Sequence, residues 1–346
     1  MKRKDFRSIY KVIQTHRSDL ISRNKVRRTA IGYKIKDGRI TDEVGILVFV
    51  RSKPSIQTLL DQKIEPVPKE IEGYKTDVIN MPLGFMPRIS RLLTATVLPD
   101  DLRHRPFSGG CAIINARGEP ATGTLGIIVR KSNSDKLYAI TNNHVGANED
   151  VEGLDPPAAS KGDPITQPGA HGGGHDPEDT IALLDSWNRM KPTAPASVNH
   201  YDFSISKITT EALAFAKPYE VMELGSVKGV KDINLGDLVL KRGRTTRRTL
   251  GRVVAVAVET SVEYRGFPCT FVDQVVIVGV PESMPFSLAG DSGSVIVSKQ
   301  NDPTTHAHAV QALLFAGGET DGGLDFTLGS PIMKIVEDFN LDIGTN

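Results

Sequence analysis

The sequence holds only two cysteines, Cys111 and Cys269, in 346 residues. A secreted chain of this size would usually carry several disulfides, so a reducing compartment is expected. Aromatic residues make up 6% of the chain, with a single tryptophan, Trp187. No apolar run approaches the length that spans a bilayer as a helix, so no membrane role is expected. The start, Met1-Lys2-Arg3-Lys4-Asp5-Phe6-Arg7, has no apolar stretch behind it. No secretory leader is visible there, and a cytoplasmic placement is expected. Charge of one sign is lacking too: 42 Lys and Arg against 41 Asp and Glu leave a formal net charge of +1. Bulk charge therefore points to no nucleic acid, no anionic surface and no acidic substrate.

What the chain has in quantity is glycine and proline, 32 and 21 residues. With few aromatics, this favours short strands and tight turns over long helices. The length accommodates two domains, or one large domain with an extension. Residues 1–28 are basic: Lys2, Arg3, Lys4, Arg7, Lys11, Arg17, Arg23, Lys25, Arg27 and Arg28 face only Asp5 and Asp19. Ile9, Val12, Ile13 and Leu20 recur at helical spacing, which predicts an amphipathic helix with a solvated basic face. Contact with nucleic acid or another anionic partner is the alternative reading of that charge. Residues 30–35 and 44–50 read as strands around a turn at Lys36-Asp37-Gly38. Residues 71–79 read as a strand pair around Gly73, and 54–68 leave room for a short helix. Together they predict a small α+β regulatory or assembly unit over residues 1–95.

From residue 105 the pattern changes to short apolar strands separated by glycine-rich turns, at 111–115, 124–129, 137–141, 253–258, 275–280 and 295–297. Such spacing predicts an all-β barrel or sandwich. Residues 146–200 interrupt it as a surface insertion around one strand, 180–184. A closing helix is expected from Pro331, in its first turn, through Ile332, Ile335, Val336 and Phe339.

Three short runs carry chemistry. Gly290-Asp291-Ser292-Gly293-Ser294 places a serine between glycines. A serine hydroxyl needs a general base, and its tetrahedral intermediate needs two N–H donors. Gly290 lets the chain turn so that its own amide and that of Ser292 converge. Gly293 is expected to remove a Cβ where substrate approaches. The second run, 139–145, is an apolar strand ending in Asn142-Asn143-His144, where neutral imidazole could accept the serine proton. In the third, Tyr201-Asp202-Phe203, Asp202 opens an alternating strand and could orient His144; Asp179 is a rival with a similar context.

The order His144, Asp202, Ser292 is that of chymotrypsin, and distinct from the subtilisin and α/β-hydrolase orders. The combination resembles the trypsin-like serine peptidases over residues 105–340. The segments 237–246 and 250–253 resemble the opening of the second barrel in bacterial and Deg-type members. Residues 310–318 resemble the strand that pairs with substrate backbone, and 329–332 the approach to the C-terminal helix. The unit 30–53, the stretch 68–78, the Asn-His-Val run and Leu313-Leu314-Phe315-Ala316-Gly317 resemble the NARROW LEAF 1-like group and its bacterial relatives.

This resemblance implies a mainly β, chymotrypsin-like double β-barrel, with barrels over 105–210 and 215–346 and a peptidase domain over 105–346. It implies a Ser292–His144–Asp202 triad, an oxyanion hole from the amides of Gly290 and Ser292, and no metal or other cofactor. Substrate contacts are expected at Phe315, Ala316 and Gly317. The base of the specificity pocket is expected at Phe286, which would select an apolar residue or make the pocket shallow. Secreted members pair a new amino terminus with the aspartate beside the nucleophile, here Asp291, but no activation site is visible before Cys111. Control by loop ordering is expected instead. Expected partners are a protein or peptide substrate, a homo-oligomeric copy and a protein activator. The alternative is a trypsin-fold binding or scaffold protein that is latent or silent. The run His171-Gly172-Gly173-Gly174-His175-Asp176 is read as an exposed loop rather than a metal site.

Overall fold

A computed structural model describes residues 6–22, 26–81, 85–91, 97–195 and 197–344. Lys2, Arg3, Lys4, Asp5, Arg23 and Lys25 of the basic stretch lie outside the described residues.

The N-terminal helix, Arg7–Ser22, buries Ile9, Val12, Ile13 and Leu20, the four residues whose spacing predicted it. They meet Ile31, Ile46 and Val48 in one apolar cluster. Arg7 and Lys11 face solvent, whereas Arg17 turns to Glu259, its Nε donating at 3.0 Å, so the expected solvated basic face is only partly solvated. Below the helix, strands Val26–Lys36 and Arg39–Val50 form a hairpin turning at Asp37-Gly38. Tyr74–Asn80 adds to it in parallel. The short helix Ile56–Asp61 is capped by Ser55, whose hydroxyl accepts from the Thr58 amide at 3.1 Å.

This unit does not stand apart. Ile31 pairs with Val256 and Gly32 with Ala255, so its sheet runs on into the long strand Arg247–Tyr264. Gly32 makes that junction: a Cβ there would lie 2.5 Å from the Val254 carbonyl oxygen and 2.8 Å from the Ala255 side chain.

The remainder is two β units. In the second, Leu238–Gly243, Arg247–Tyr264, Phe267–Gly279, Asp325–Pro331, His308–Glu319 and Val295–Ser298 each pair with the next, and the last pairs with the first. Val239, Val253, Ile277, Phe286, Ile296 and Leu314 fill this ring. In the first unit the expected closure is absent among the described residues. Its strands form an open path from Leu341–Asp342 through Ile127–Lys131, Ser134–Thr141, Ser204–Ile208, Thr180–Trp187, Pro164–Thr166 and Ala112–Asn115 to Ala121–Thr124. The single strand expected over 124–129 is in fact two, Ala121–Thr124 and Ile127–Lys131. The closing helix is Ile332–Phe339, with Pro331 as its N-cap rather than inside its first turn. Asn340 ends it at φ 51°, the left-handed conformation that stops a helix. Phe339 packs on Phe203, ring centroids 4.4 Å apart, tying the helix to the first unit. Among the described residues, no helix is long and apolar enough to cross a membrane.

Candidate active site

Strand Ser134–Thr141 delivers a short helical turn, Asn143–Gly146, that carries His144. The Asn142 amide group donates to the Asp202 carbonyl at 2.8 Å, and the Ser204 hydroxyl donates to the Asn142 carbonyl at 2.8 Å. These two bonds lock the His144 turn onto the approach to strand Ser204–Ile208. Asp202 lies just before that strand rather than within it. Its carboxylate accepts from His144 Nδ1 in a short hydrogen bond, and from the His144 backbone amide at 3.3 Å. All three groups are buried, so the carboxylate fixes both the ring orientation and its tautomer. The rival Asp179 is elsewhere, paired with Arg103 at 3.2 Å.

Tyr264, invisible to sequence reasoning, completes this cluster. Its hydroxyl donates to Asp202 Oδ2 at 2.8 Å, and its ring lies 6.0 Å from that of His144. Burial, then the neighbouring Asp202 carboxylate, push the phenol well above its ordinary pKa, so it stays a neutral donor.

Ser292 enters from the second unit on a turn held from beneath by Asp291. That carboxylate is wholly buried and accepts from the amides of Thr245 (2.8 Å), Thr246 (3.1 Å) and Leu288 (2.9 Å) and from the Thr246 hydroxyl (2.7 Å). Lys241 Nζ, also wholly buried, lies 3.2 Å away. Burial opposes ionisation of Asp291, but Lys241 and these donors outweigh it and hold the carboxyl below its ordinary range. The counter-charge of Asp291 is therefore internal. Gly290 adopts φ +103° and Gly293 φ +97°, both left-handed. The missing Cβ of Gly293 faces the Thr124 carbonyl and the Thr141 hydroxyl. Its service is to seat the two units against each other, not to admit substrate.

The cleft between the units is occupied. Residues 85–91 run through it as an extended strand. Met86 pairs with Gly317 and Pro87 with Ala316, antiparallel to His308–Glu319. The Arg88 amide donates to the Phe315 carbonyl at 3.1 Å. The Arg88 carbonyl then accepts from both Gly290 N (2.5 Å) and Ser292 N (3.2 Å). Further on, Ser90 and Arg91 pair with Thr122 and Ala121 of the first unit. Phe315, Ala316 and Gly317 thus present backbone to the chain's own segment 86–88, while the Phe315 ring turns inward onto Phe271 at 5.0 Å between centroids. Beneath this strand Ser292 is fully buried; its hydroxyl donates to the Phe315 carbonyl at 3.0 Å. His144 Nε2 is buried with no hydrogen-bond partner.

The expectation for Phe286 fails. Phe286 does not line the pocket; it packs inside the second ring among Val253, Ile277 and Leu314. The group facing the occupant's side chain is Asp325, which forms a short ion pair with the Arg88 guanidinium. Counting back from the serine found a core phenylalanine because the pocket's charge comes from a later strand. Of the loop read as exposed, His171 is instead buried against Thr122, with 2.6 Å between Nδ1 and the hydroxyl. No cluster of three metal-ligating side chains occurs among the described residues.

Comparison with known proteins finds two family domains along this chain. The NARROW LEAF 1 N-terminal domain matches residues 9–81, and the Nal1 C-terminal domain matches residues 194–342. The chain carries both domains of the NARROW LEAF 1 family. Protein NARROW LEAF 1 of Oryza sativa subsp. japonica is 29% identical over 304 residues, covering 79% of this chain. The match covers 48% of that protein, so this chain spans about half the length of its plant relative. Among solved structures, protease A of Thermobifida fusca has a TM-score of 0.44 at 16% identity, covering 69% of this chain and 98% of its own. Cellulomonas bogoriensis chymotrypsin has a TM-score of 0.42 at 16% identity over the same shares. In this NARROW LEAF 1-type chain the trypsin-like fold is read from its own strand pairings.

Proposed function

We propose that this NARROW LEAF 1-type protein is a serine endopeptidase. The observation that carries the reading is the arrangement about one carbonyl oxygen: two amides donate to it, one of them that of Ser292, and the buried His144–Asp202 pair stands in the facing unit. In this reading the Ser292 hydroxyl leaves the Phe315 carbonyl, turns to His144 Nε2 and attacks the carbonyl carbon of a peptide bond. His144 takes the proton and returns it to the departing amine, and water then repeats the cycle on the acyl-enzyme. Gly290 N and Ser292 N stabilise the oxyanion, and Asp202, held by Tyr264, stabilises the imidazolium. No metal or organic cofactor enters any step.

The second reading, a latent or silent binding protein, draws on one specific observation: Ser292 is covered and its hydroxyl is engaged by Phe315. A fluorophosphonate probe discriminates between them. Labelling of the wild type, lost in Ser292→Ala and in His144→Ala, is the expected result. Absence of labelling even after the cleft strand is released by substitution would refute the peptidase reading. A reducing, cytoplasmic setting belongs to the proposal, supported by the two buried free thiols Cys111 and Cys269. Self-association and a protein activator that displaces the cleft strand complete it.

A further inference from the structure

We propose that the cleft takes peptides with Arg or Lys before the scissile bond, that Asp325 is the residue selecting that charge, and that the chain's own segment 85–91 is its built-in occupant. The proposal rests on the peptidase reading for the word scissile; the pocket itself rests on geometry alone.

Three independent observations converge on Arg88. Its backbone has the register of a bound substrate: its amide meets Phe315, and its carbonyl sits on Gly290 N and Ser292 N. The pairing continues on both sides, to Gly317 before it and to Thr122 and Ala121 after it. Its side chain passes against Gly317, where an added Cβ would strike the guanidinium. At the end of that path stands Asp325, on strand Asp325–Pro331, its side chain 20% exposed and paired with Arg88. Asp325 Oδ1 and Arg88 Nε are both buried without a hydrogen-bond partner. The Arg88 guanidinium meets one carboxylate oxygen and leaves the other unmet, so a ligand whose amidine or guanidinium engages both oxygens would satisfy the site better.

The occupant also explains why Ser292 is fully buried. External peptide must displace 85–91, so the intact chain is restrained by its own strand. The restraint is local: Arg88 is held by one side-chain ion pair and a few backbone bonds. On the far side the chain is anchored to the second unit, where Asp101 pairs with Arg244 and Asp100 with Arg242, the latter at 2.7 Å.

The test uses the full-length chain and a fluorescent arylamidine, p-aminobenzamidine, whose binding needs no turnover. In a Ser292→Ala background, Arg88→Ala is expected to tighten amidine binding by about tenfold or more, because the competitor is gone. Adding Asp325→Asn is expected to abolish that gain. Gly317→Val, which narrows the entrance without touching charge, is expected to do the same, with folding of each variant checked by circular dichroism. Equal affinity with and without Arg88→Ala, or indifference to both Asp325→Asn and Gly317→Val, would overturn the proposal. Amidine binding without fluorophosphonate labelling would keep the pocket and refute the peptidase; labelling without amidine binding would do the reverse.

Discussion

Asp202 accepts hydrogen bonds from the His144 ring, the His144 amide and Tyr264, so its charge is stabilised from three directions. Tyr264→Phe removes one of these without opening a cavity. A hydrogen bond to a buried charge is worth about 1.5–3 kcal/mol, so a stability loss of that order is expected in urea denaturation. Fluorophosphonate labelling is expected to slow without vanishing, because His144 keeps its ring partner. At Asp325 the sign is opposite to Asp291. Burial raises the Asp325 carboxyl above its ordinary range, with Arg88 only partly offsetting it. Binding of a cationic ligand therefore weakens as pH falls through a value higher than an ordinary aspartate would set. A pH series of amidine affinity in the Arg88→Ala, Ser292→Ala protein reads this directly.

At the scale of elements, the Ser292 turn depends on a buried ion pair rather than on a new amino terminus. Lys241 projects from strand Leu238–Gly243 to Asp291, with its side chain fully buried. Removing one partner of such a pair costs about 3–5 kcal/mol, because the other charge stays buried and unmet. Lys241→Met is thus expected to lower stability by that amount at pH 7. In the wild type, Asp291 titrates below its ordinary value of 3.8. Its contribution is whole above that value and is lost as pH falls through the lower folded value. In the variant, burial favours the protonated carboxyl. The gap in unfolding free energy between the two proteins should therefore begin to narrow as pH falls through the variant's raised carboxyl value, and go on narrowing below the ordinary 3.8 as the wild type loses its contribution. A constant gap from pH 7 to pH 3 would show that Asp291 is not the group responsible.

Across the whole molecule, the N-terminal unit and the second ring share one hydrogen-bonded sheet through Ile31 and Gly32. Separate unfolding of residues 26–81 would break that ladder. A single cooperative transition is expected, with Trp187 fluorescence in the first unit and far-ultraviolet circular dichroism coinciding. Gly32→Val would push against the Val254 carbonyl and the Ala255 side chain. Such overpacking typically costs about 1–3 kcal/mol, and here it should also split the transition into two. Such a split would place the N-terminal unit as a docked domain whose seating bears on the cleft, since the strand at 85–91 follows directly from it.

The helix Arg7–Ser22 and most strands were legible because their signal is periodic and local: Ile9, Val12, Ile13 and Leu20 face one way whatever surrounds them. His144, Asp202 and Ser292 were legible because each lies in a short run whose order along the chain is distinctive. Arg88, Tyr264, Lys241 and Asp325 were not. Each is an ordinary residue in its own segment and acquires a role only from a partner far along the chain: Tyr264 from Asp202, Lys241 from Asp291, and Asp325 from Arg88. The sequence by itself determined most of the elements and singled out His144, Asp202 and Ser292 as candidates. Only the tertiary structure decided what sits in the cleft and which charge the pocket offers, because long-range pairing of backbone and buried charge leaves no local pattern.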